Sequence, residues 1–207
     1  MFGYILITLF GGIILYLPVS NSVNLSFIDS LFTSTSATCV TGLIVTSTPN
    51  SFTFFGEAVI LTLIQIGGLG YMAIMGIFVL LLRDSLSIHE RRMVKESMDL
   101  PTLDIKTVIY KIIALIFIVE LIGAIILTFE FYNHGEYNWK SAIWFGIFHS
   151  ISAFNNAGFS LFDPNMIGYQ SNATVLITLS FLIIIGGLGY FVLVEIFEKK
   201  RGTDKSM

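Results

Sequence analysis

Two polar stretches stand between apolar segments of this sequence, and their residue types could bind a cation. The first covers residues 33–43, Thr-Ser-Thr-Ser-Ala-Thr-Cys-Val-Thr-Gly-Leu, and the second covers residues 149–161, His-Ser-Ile-Ser-Ala-Phe-Asn-Asn-Ala-Gly-Phe-Ser-Leu. Both contain hydroxyl side chains, a glycine (Gly42 or Gly158) and no Asp, Glu, Lys or Arg. Backbone that enters a membrane without crossing it is tolerated where it lines a water-filled path. We therefore interpret both stretches as pore loops whose carbonyl oxygens contact an ion.

A filter for a desolvated cation needs oxygen atoms that replace the hydration shell, and a short extended strand can point several backbone carbonyls at one axis. Glycine at the end of the strand adopts conformations closed to other residues. A helix that leads into the strand directs the negative end of its dipole toward the ion. We predict such pore helices over 27–37 and 139–154, and strands over 38–42 and 155–158. The competing interpretation is two external loops with Ser, Thr and Asn turn chemistry.

The composition predicts an integral membrane protein. The chain has 207 residues, of which 55% are hydrophobic and 12% charged, and its mean hydropathy is +0.83. Soluble domains carry about a quarter of charged residues. The net charge of −3 favours no nucleic-acid partner, and a single cysteine allows no internal disulfide. The three histidines (His89, His134 and His149) have no ligands at metal-binding spacing, so we expect no cofactor and no metal beyond a transported ion.

Four apolar segments, 2–17, 55–82, 108–129 and 173–197, approach or exceed the ~20 residues that span a bilayer. All basic residues except Lys140 fall on one side of these spans. This bias places the N-terminus and C-terminus in the cytoplasm and both polar loops outside. We therefore predict an all-α, multi-pass protein of the cell membrane.

An internal repeat organises the chain. The sequence Ile-Gln-Ile-Gly-Gly-Leu-Gly-Tyr at 64–71 recurs as Ile-Ile-Ile-Gly-Gly-Leu-Gly-Tyr at 183–190. We predict two span–pore-loop–span repeats, 1–83 and 107–207, joined by a cytoplasmic amphipathic linker over 84–106. The fold is then expected to resemble that of a potassium channel, with four transmembrane helices and two re-entrant pore helices. Small residues allow close helix packing, and we assign that role to Gly67, Gly68, Gly70, Gly186, Gly187 and Gly189.

Glu120 is an acid in the middle of the third span. An acid there costs about 2.5–3.5 kcal/mol on insertion scales, so it should face the interior and have a partner. It is either an ion-path carboxylate or, as we favour, a carboxyl bonded to a hydroxyl or backbone group in a neighbouring repeat. An intramembrane enzyme has little support, because His149 near Ser150 and Ser152 has no acid to orient it.

Three motifs, Thr-Ser-Ala-Thr-Cys-Val-Thr-Gly-Leu, Ile-Gln-Ile-Gly-Gly-Leu-Gly-Tyr and Phe-His-Ser-Ile-Ser-Ala-Phe-Asn-Asn-Ala-Gly-Phe, resemble the Trk/Ktr/HKT superfamily of potassium transporters. The resemblance covers nearly the whole chain and is nearest to the Ktr membrane subunits. It implies four repeats around one pore. It also implies potassium contacts from the backbone of Val40, Thr41, Gly42, Asn156, Ala157 and Gly158, which Thr38, Cys39 and Asn155 support. Glycine at position 42 goes with potassium selectivity in that superfamily.

The chain departs from that pattern because it holds two of the four repeats. We expect a missing C-terminal half, or less favourably a second copy, to complete the pore in a homodimeric membrane assembly. The resemblance also implies a cytoplasmic nucleotide-binding regulatory ring, which could contact the linker. Sodium or proton coupling occurs in the superfamily and is not visible here. The alternative function is a truncated fragment that packs with partners and transports nothing.

Overall fold

The computed structural model describes residues 2–81, 105–134 and 137–188. These residues form seven α-helices, one 3₁₀ helix (Ile167–Tyr169) and no β-strand. The α-helices are α1 Phe2–Tyr16, α2 Phe27–Thr38, α3 Thr48–Ser51, α4 Phe54–Leu81, α5 Ile105–His134, α6 Trp139–Phe154 and α7 Ala173–Gly187. The all-helical fold class is thus confirmed.

The predicted helices are found with small shifts at their ends. Helix α2 includes Thr38, which we predicted to begin the first strand, and α6 covers 139–154 as expected. Helix α5 extends beyond the predicted end at 129. Residues 84–104 of the predicted linker lie outside the described residues, as does everything from 189 onward, including Gly189.

One described segment, Lys111–His134, is long and apolar enough to cross a membrane by length and composition alone. Three further apolar helices, Gly3–Tyr16, Phe54–Gly70 and Ala173–Gly187, are shorter. Helix α4 is interrupted at Gly70, whose φ of 73° and ψ of 152° are not helical. The four-span arrangement therefore stays a prediction.

Polar caps fix the start of the two helices that precede the loop glycines. Ser26 and Asp29 form a capping box at α2, in which the Asp29 N–H donates to Ser26 Oγ at 3.1 Å. Asn138 caps α6 by accepting from the Ser141 N–H at 3.0 Å. Each cap satisfies a backbone donor that has no partner within the helix. These helices therefore begin where the sequence changes from turn-forming to apolar residues.

The helices pack as two units that share a core. Helices α1, α2 and α4 contact one another, as do α5, α6 and α7, and α4 also contacts α5 and α6. One buried cluster includes Leu15, Ile60 and Ile64 together with Phe148 and Ala157 from the second unit. The two repeats are thus held in a fixed relation by buried apolar side chains.

Matching close contacts occur in the two repeats. A Cβ atom on Gly11 would lie 2.5 Å from Ser34 Oγ, and one on Gly123 would lie 2.6 Å from Ser150 Oγ. Ser34 Oγ donates to the carbonyl of Thr8 at 2.8 Å. Ser150 Oγ donates to the carbonyl of Glu120 at 2.6 Å. Thr8 and Glu120 therefore occupy corresponding positions.

Candidate ion-binding site

Two loop segments follow the helices α2 and α6, and they share an unusual backbone conformation. We define the first loop segment as residues 39–42 and the second as residues 155–158. L-residues rarely adopt positive φ, and glycine does so readily. In each segment the glycine and the residue two before it have positive φ: Val40 55°, Gly42 74°, Asn156 59° and Gly158 70°.

The same hydrogen bonds turn the chain in both segments. The Thr41 N–H donates to the Ser36 carbonyl at 2.9 Å, and the Ala157 N–H donates to the Ser152 carbonyl at 2.8 Å. Each bond joins the residue before the loop glycine to the last turn of the preceding helix. The likeness of the two segments, expected from the sequence repeat, thus extends to their backbone bonding.

The two loop segments meet at their glycines. A Cβ atom on Gly42 would lie 2.6 Å from the carbonyl oxygen of Ala157 and 3.3 Å from the Cα of Gly158. No side chain fits into that space without moving the backbone of the other segment. Backbone groups from both repeats therefore lie together at one place, as required of oxygens that would share an ion.

Glycines in α4 and α7 pack against the C-terminal ends of α2 and α6. A Cβ atom on Gly67 would overlap the carbonyl oxygen of Thr38, and one on Gly186 would overlap the carbonyl oxygen of Phe154. A Cβ atom on Gly68 would overlap Oδ1 of Asn155. Such contacts are what a packing role at these three glycines would require, and that role stays a prediction.

Two other glycines of the motif differ from that prediction. A Cβ atom on Gly70 would meet nothing within 4 Å among the described residues. Gly70 instead allows the break in α4, because the φ angle at this position is positive and glycine adopts such angles readily. A Cβ atom on Gly187 would approach only Nδ2 of Asn156, at 3.8 Å. Gly187 thus lies on a face that no described helix covers.

A buried polar cluster joins the repeats behind the second loop segment. The side-chain amide of Gln65 donates to both carboxylate oxygens of Glu120, at 3.1 and 3.3 Å. Nδ2 of Asn155 donates to Glu120 at 3.3 Å and to Oε1 of Gln65 at 3.2 Å. Glu120 is 4% exposed. Its partner in the neighbouring repeat exists as expected, but it is an amide rather than a hydroxyl or backbone group.

Further polar bonds between the repeats were not predicted. Oδ2 of Asp163 accepts from Ser47 Oγ at 2.8 Å and from Asn50 Nδ2 at 2.7 Å. Trp144 Nε1 donates to Glu57 at 2.6 Å. These partners are far apart in the sequence, and no local pattern pairs them.

The hydroxyl and imidazole groups near the second loop segment bond to backbone carbonyls and to each other. Nδ1 of His149 donates to the carbonyl of Phe145 at 2.7 Å, which leaves Nε2 to accept from Ser160 Oγ at 2.9 Å. The hydroxyls of Ser150 and Ser152 donate to backbone carbonyls instead. An acid to orient His149 is missing from its bonding partners in the described part of the chain. The described residues also hold no metal-binding group of three His, Cys, Asp or Glu.

Residues 7–206 match the TrkH family, a family of cation transport proteins. The chain is 42% identical to the Ktr system potassium uptake protein B of Bacillus subtilis, over 96% of this chain and 44% of that protein. It is 39% identical to the potassium/sodium uptake protein NtpJ of Enterococcus hirae, over 96% of this chain and 44% of that protein. The Ktr system potassium uptake protein B of Vibrio alginolyticus is 36% identical, over 92% of this chain and 42% of that protein.

The chain therefore spans less than half the length of the curated relatives it matches. The family match covers nearly all of the chain, including both loop segments and the helices around them. Membership of a family of cation transporters indicates a membrane location and gives no sign of an enzymatic activity. We conclude that this chain belongs to the TrkH family of cation transport proteins.

Proposed function

We propose that this chain forms part of a potassium-uptake pore in which the two loop segments supply the filter oxygens. One observation carries the proposal: the two uncharged loop segments have the same backbone conformation and lie in contact, with Gly42 against the carbonyl oxygen of Ala157. Carbonyl oxygens can replace the hydration shell of potassium. The proposed contacts are the backbone groups of Val40, Thr41, Gly42, Asn156, Ala157 and Gly158.

The proposed membrane arrangement follows the repeat. Helices α1, α4, α5 and α7 cross the bilayer, and α2 and α6 enter it from outside as pore helices. The repeat boundaries at 1–83 and 107–207, the linker between them and the cytoplasmic termini are part of this proposal. The excess of Lys and Arg on one side supports the orientation.

The proposed pore needs two further repeats. Gln65 lies on the face of α4 that bonds Glu120 and Asn155. By the internal repeat, Ile184 holds the corresponding position on α7, and 60% of it is exposed. The counterpart of Asn155 is Cys39, which is also exposed. The curated relatives are more than twice as long as the segment they share with this chain. A C-terminal half supplies the missing repeats in the arrangement we favour, and a second copy supplies them in the alternative.

Potassium enters down its electrochemical gradient in the proposed mechanism. Moving one charge through 100 mV is worth about 2.3 kcal/mol, so the membrane potential can concentrate the ion without a chemical step. The name of the Enterococcus hirae relative includes sodium as well as potassium, so the two ions should be measured together. By resemblance, a cytoplasmic nucleotide-binding ring regulates the assembled pore.

Growth of a potassium-uptake-deficient bacterium at low external potassium tests the proposal. The chain is expressed alone and with the C-terminal half of the Bacillus subtilis relative, and its presence in the membrane is checked by immunoblot. We expect growth only with the added half. Growth with the chain alone would instead mean that two copies form the pore. No growth in either case, with the protein in the membrane, would overturn the proposal in favour of a fragment that packs and does not transport.

A further inference from the structure

We propose that Glu120 is a positioning residue that fixes the second loop segment through Asn155, and that ion selectivity depends on it. This inference rests on the proposed function and adds a residue that touches neither the ion nor the path. It starts from a buried carboxylate whose bonds, in the described part of the chain, go to side-chain amides.

The bonds lead directly to the loop segment. Asn155 is the C-cap of α6, and the next residue, Asn156, has the positive φ that turns the chain. Nδ2 of Asn155 is shared between Glu120, Gln65 and the carbonyl of Ile151, the last at 2.9 Å. Among the described residues Oδ1 of Asn155 has no hydrogen-bond partner and packs against Gly68, so the polar bonds of this side chain are the three made by Nδ2.

Glu120 is attached to α6 at a second point. Its backbone carbonyl accepts from the buried hydroxyl of Ser150 at 2.6 Å. The same residue thus holds the last turns of α6 through its backbone and the first residue of the loop segment through its carboxylate. Such double attachment fixes the distance between α5 and the loop segment.

The first repeat keeps the backbone contact and lacks the carboxylate cluster. Ser34 bonds the carbonyl of Thr8 as Ser150 bonds that of Glu120. Thr8 has no carboxylate, and Cys39 stands where the second repeat has Asn155. The helix attachment is therefore common to both repeats, whereas the support of the loop segment by a carboxylate is particular to the second.

An acid bonded to two amides can act through its charge or through its oxygens as acceptors. Glu120→Gln separates the two, because it removes the charge and keeps an acceptor for Gln65 and Asn155. Glu120→Leu removes both, so the partly buried side-chain amide of Gln65 loses the acceptors that it has in the described part of the chain, and Asn155 Nδ2 loses one of its three. An unsatisfied buried donor is costly. The pair of substitutions distinguishes positioning from a role of the charge in the ion path.

The experiment measures potassium and sodium uptake by the chain assembled with the C-terminal half of its Bacillus subtilis relative. We expect Glu120→Leu to lower the potassium-to-sodium uptake ratio about tenfold, which corresponds to about 1.4 kcal/mol. We expect Glu120→Gln to keep the ratio within about twofold, or roughly 0.4 kcal/mol by the same relation. Thr8→Val, at the corresponding position of the first repeat, is the matched control and should leave the ratio unchanged.

Gln65→Leu tests the same cluster independently, because it leaves Glu120 in place. It should lower the ratio like Glu120→Leu, and the double variant should be no worse than either, because all three disrupt one cluster. Loss of selectivity in Glu120→Gln equal to that in Glu120→Leu would overturn the proposal and assign the role to charge. An unchanged ratio in both Glu120→Leu and Gln65→Leu would also overturn it.

A second readout does not depend on transport. In a Cys39→Ser, Ala157→Cys background, the introduced cysteine replaces a buried residue of the second loop segment. We expect an impermeant thiol reagent to label it slowly, and to label it at least several-fold faster when Glu120→Leu is added. If the unsubstituted chain fails to transport, the proposed function fails while this labelling still tests the positioning role. Equal labelling with and without Glu120→Leu would overturn that role.

Discussion

The carbonyl oxygen of Thr38 lies where a Cβ atom on Gly67 would stand, and the carbonyl oxygen of Phe154 has the same relation to Gly186. The last residue of α2 thus packs directly against the backbone of α4, and the last residue of α6 packs against that of α7. The position of each loop segment is therefore set by a contact that tolerates no side chain.

Gly67→Ala should destabilise the protein, because the added methyl group meets a backbone carbonyl that cannot rotate away. Overpacking of this kind costs about 1–3 kcal/mol. Thermal unfolding of the purified protein in detergent measures the effect, and Gly186→Ala should behave alike. Gly168→Ala is the control, since a Cβ atom there meets no described atom within 4 Å. An unfolding temperature of Gly67→Ala equal to that of the control would contradict the packing role.

Gly70→Ala should also destabilise the protein, but for a reason of backbone conformation. Its φ of 73° and ψ of 152° lie in a region essentially restricted to glycine, where other residues cost on the order of 1–3 kcal/mol. We expect a lower unfolding temperature although no described atom lies within 4 Å of the new methyl group. If the variant unfolds like the parent protein, the break in α4 does not require glycine.

Gly42→Ser should reduce the preference for potassium over sodium in the assembled pore. The side chain would push against the carbonyl of Ala157, 2.6 Å from the Cβ position, and would strain a residue with φ of 74°. Both effects displace proposed filter oxygens. Competitive uptake of the two ions measures the ratio, with Gly168→Ser as the control. A ratio equal to that of the unsubstituted chain would argue against Gly42 as a filter residue.

Ile184→Cys tests whether two copies close on each other. By the internal repeat, Ile184 and Cys39 correspond to Gln65 and Asn155, whose side chains are 3.2 Å apart across the repeat interface. In a closed pair of copies, the introduced cysteine would therefore face Cys39 of the second copy. Because we favour a separate C-terminal half, we expect no disulfide-linked dimer on a non-reducing gel after mild oxidation. A dimer that disappears when Cys39→Ser is added would reverse that preference.

The sequence by itself determined the class of the protein and the location of the candidate site. Long apolar segments predicted helices because a backbone in hydrocarbon must bond to itself. The paired loops ending at Gly42 and Gly158 were predicted from local features, namely hydroxyl-rich residues followed by glycine. Helix limits were close for α6, since Asn138 and the two asparagines after it mark its ends.

Only the tertiary structure decided how the repeats bond to each other. The partners of Glu120 come from α4 and from the end of α6, and neither Gln65 nor Asn155 is near it in the sequence. The three motif glycines that the structure describes beside Gly67 and Gly186 also differ in role, with Gly68 in contact with Asn155, Gly70 at a break and Gly187 on an open face. The repeated motif differs between the two halves only in having Gln65 or Ile184, but the residues that surround it differ more widely. Packing and hydrogen bonding depend on which residues the fold brings within a few ångströms, and a periodic sequence pattern does not contain that information.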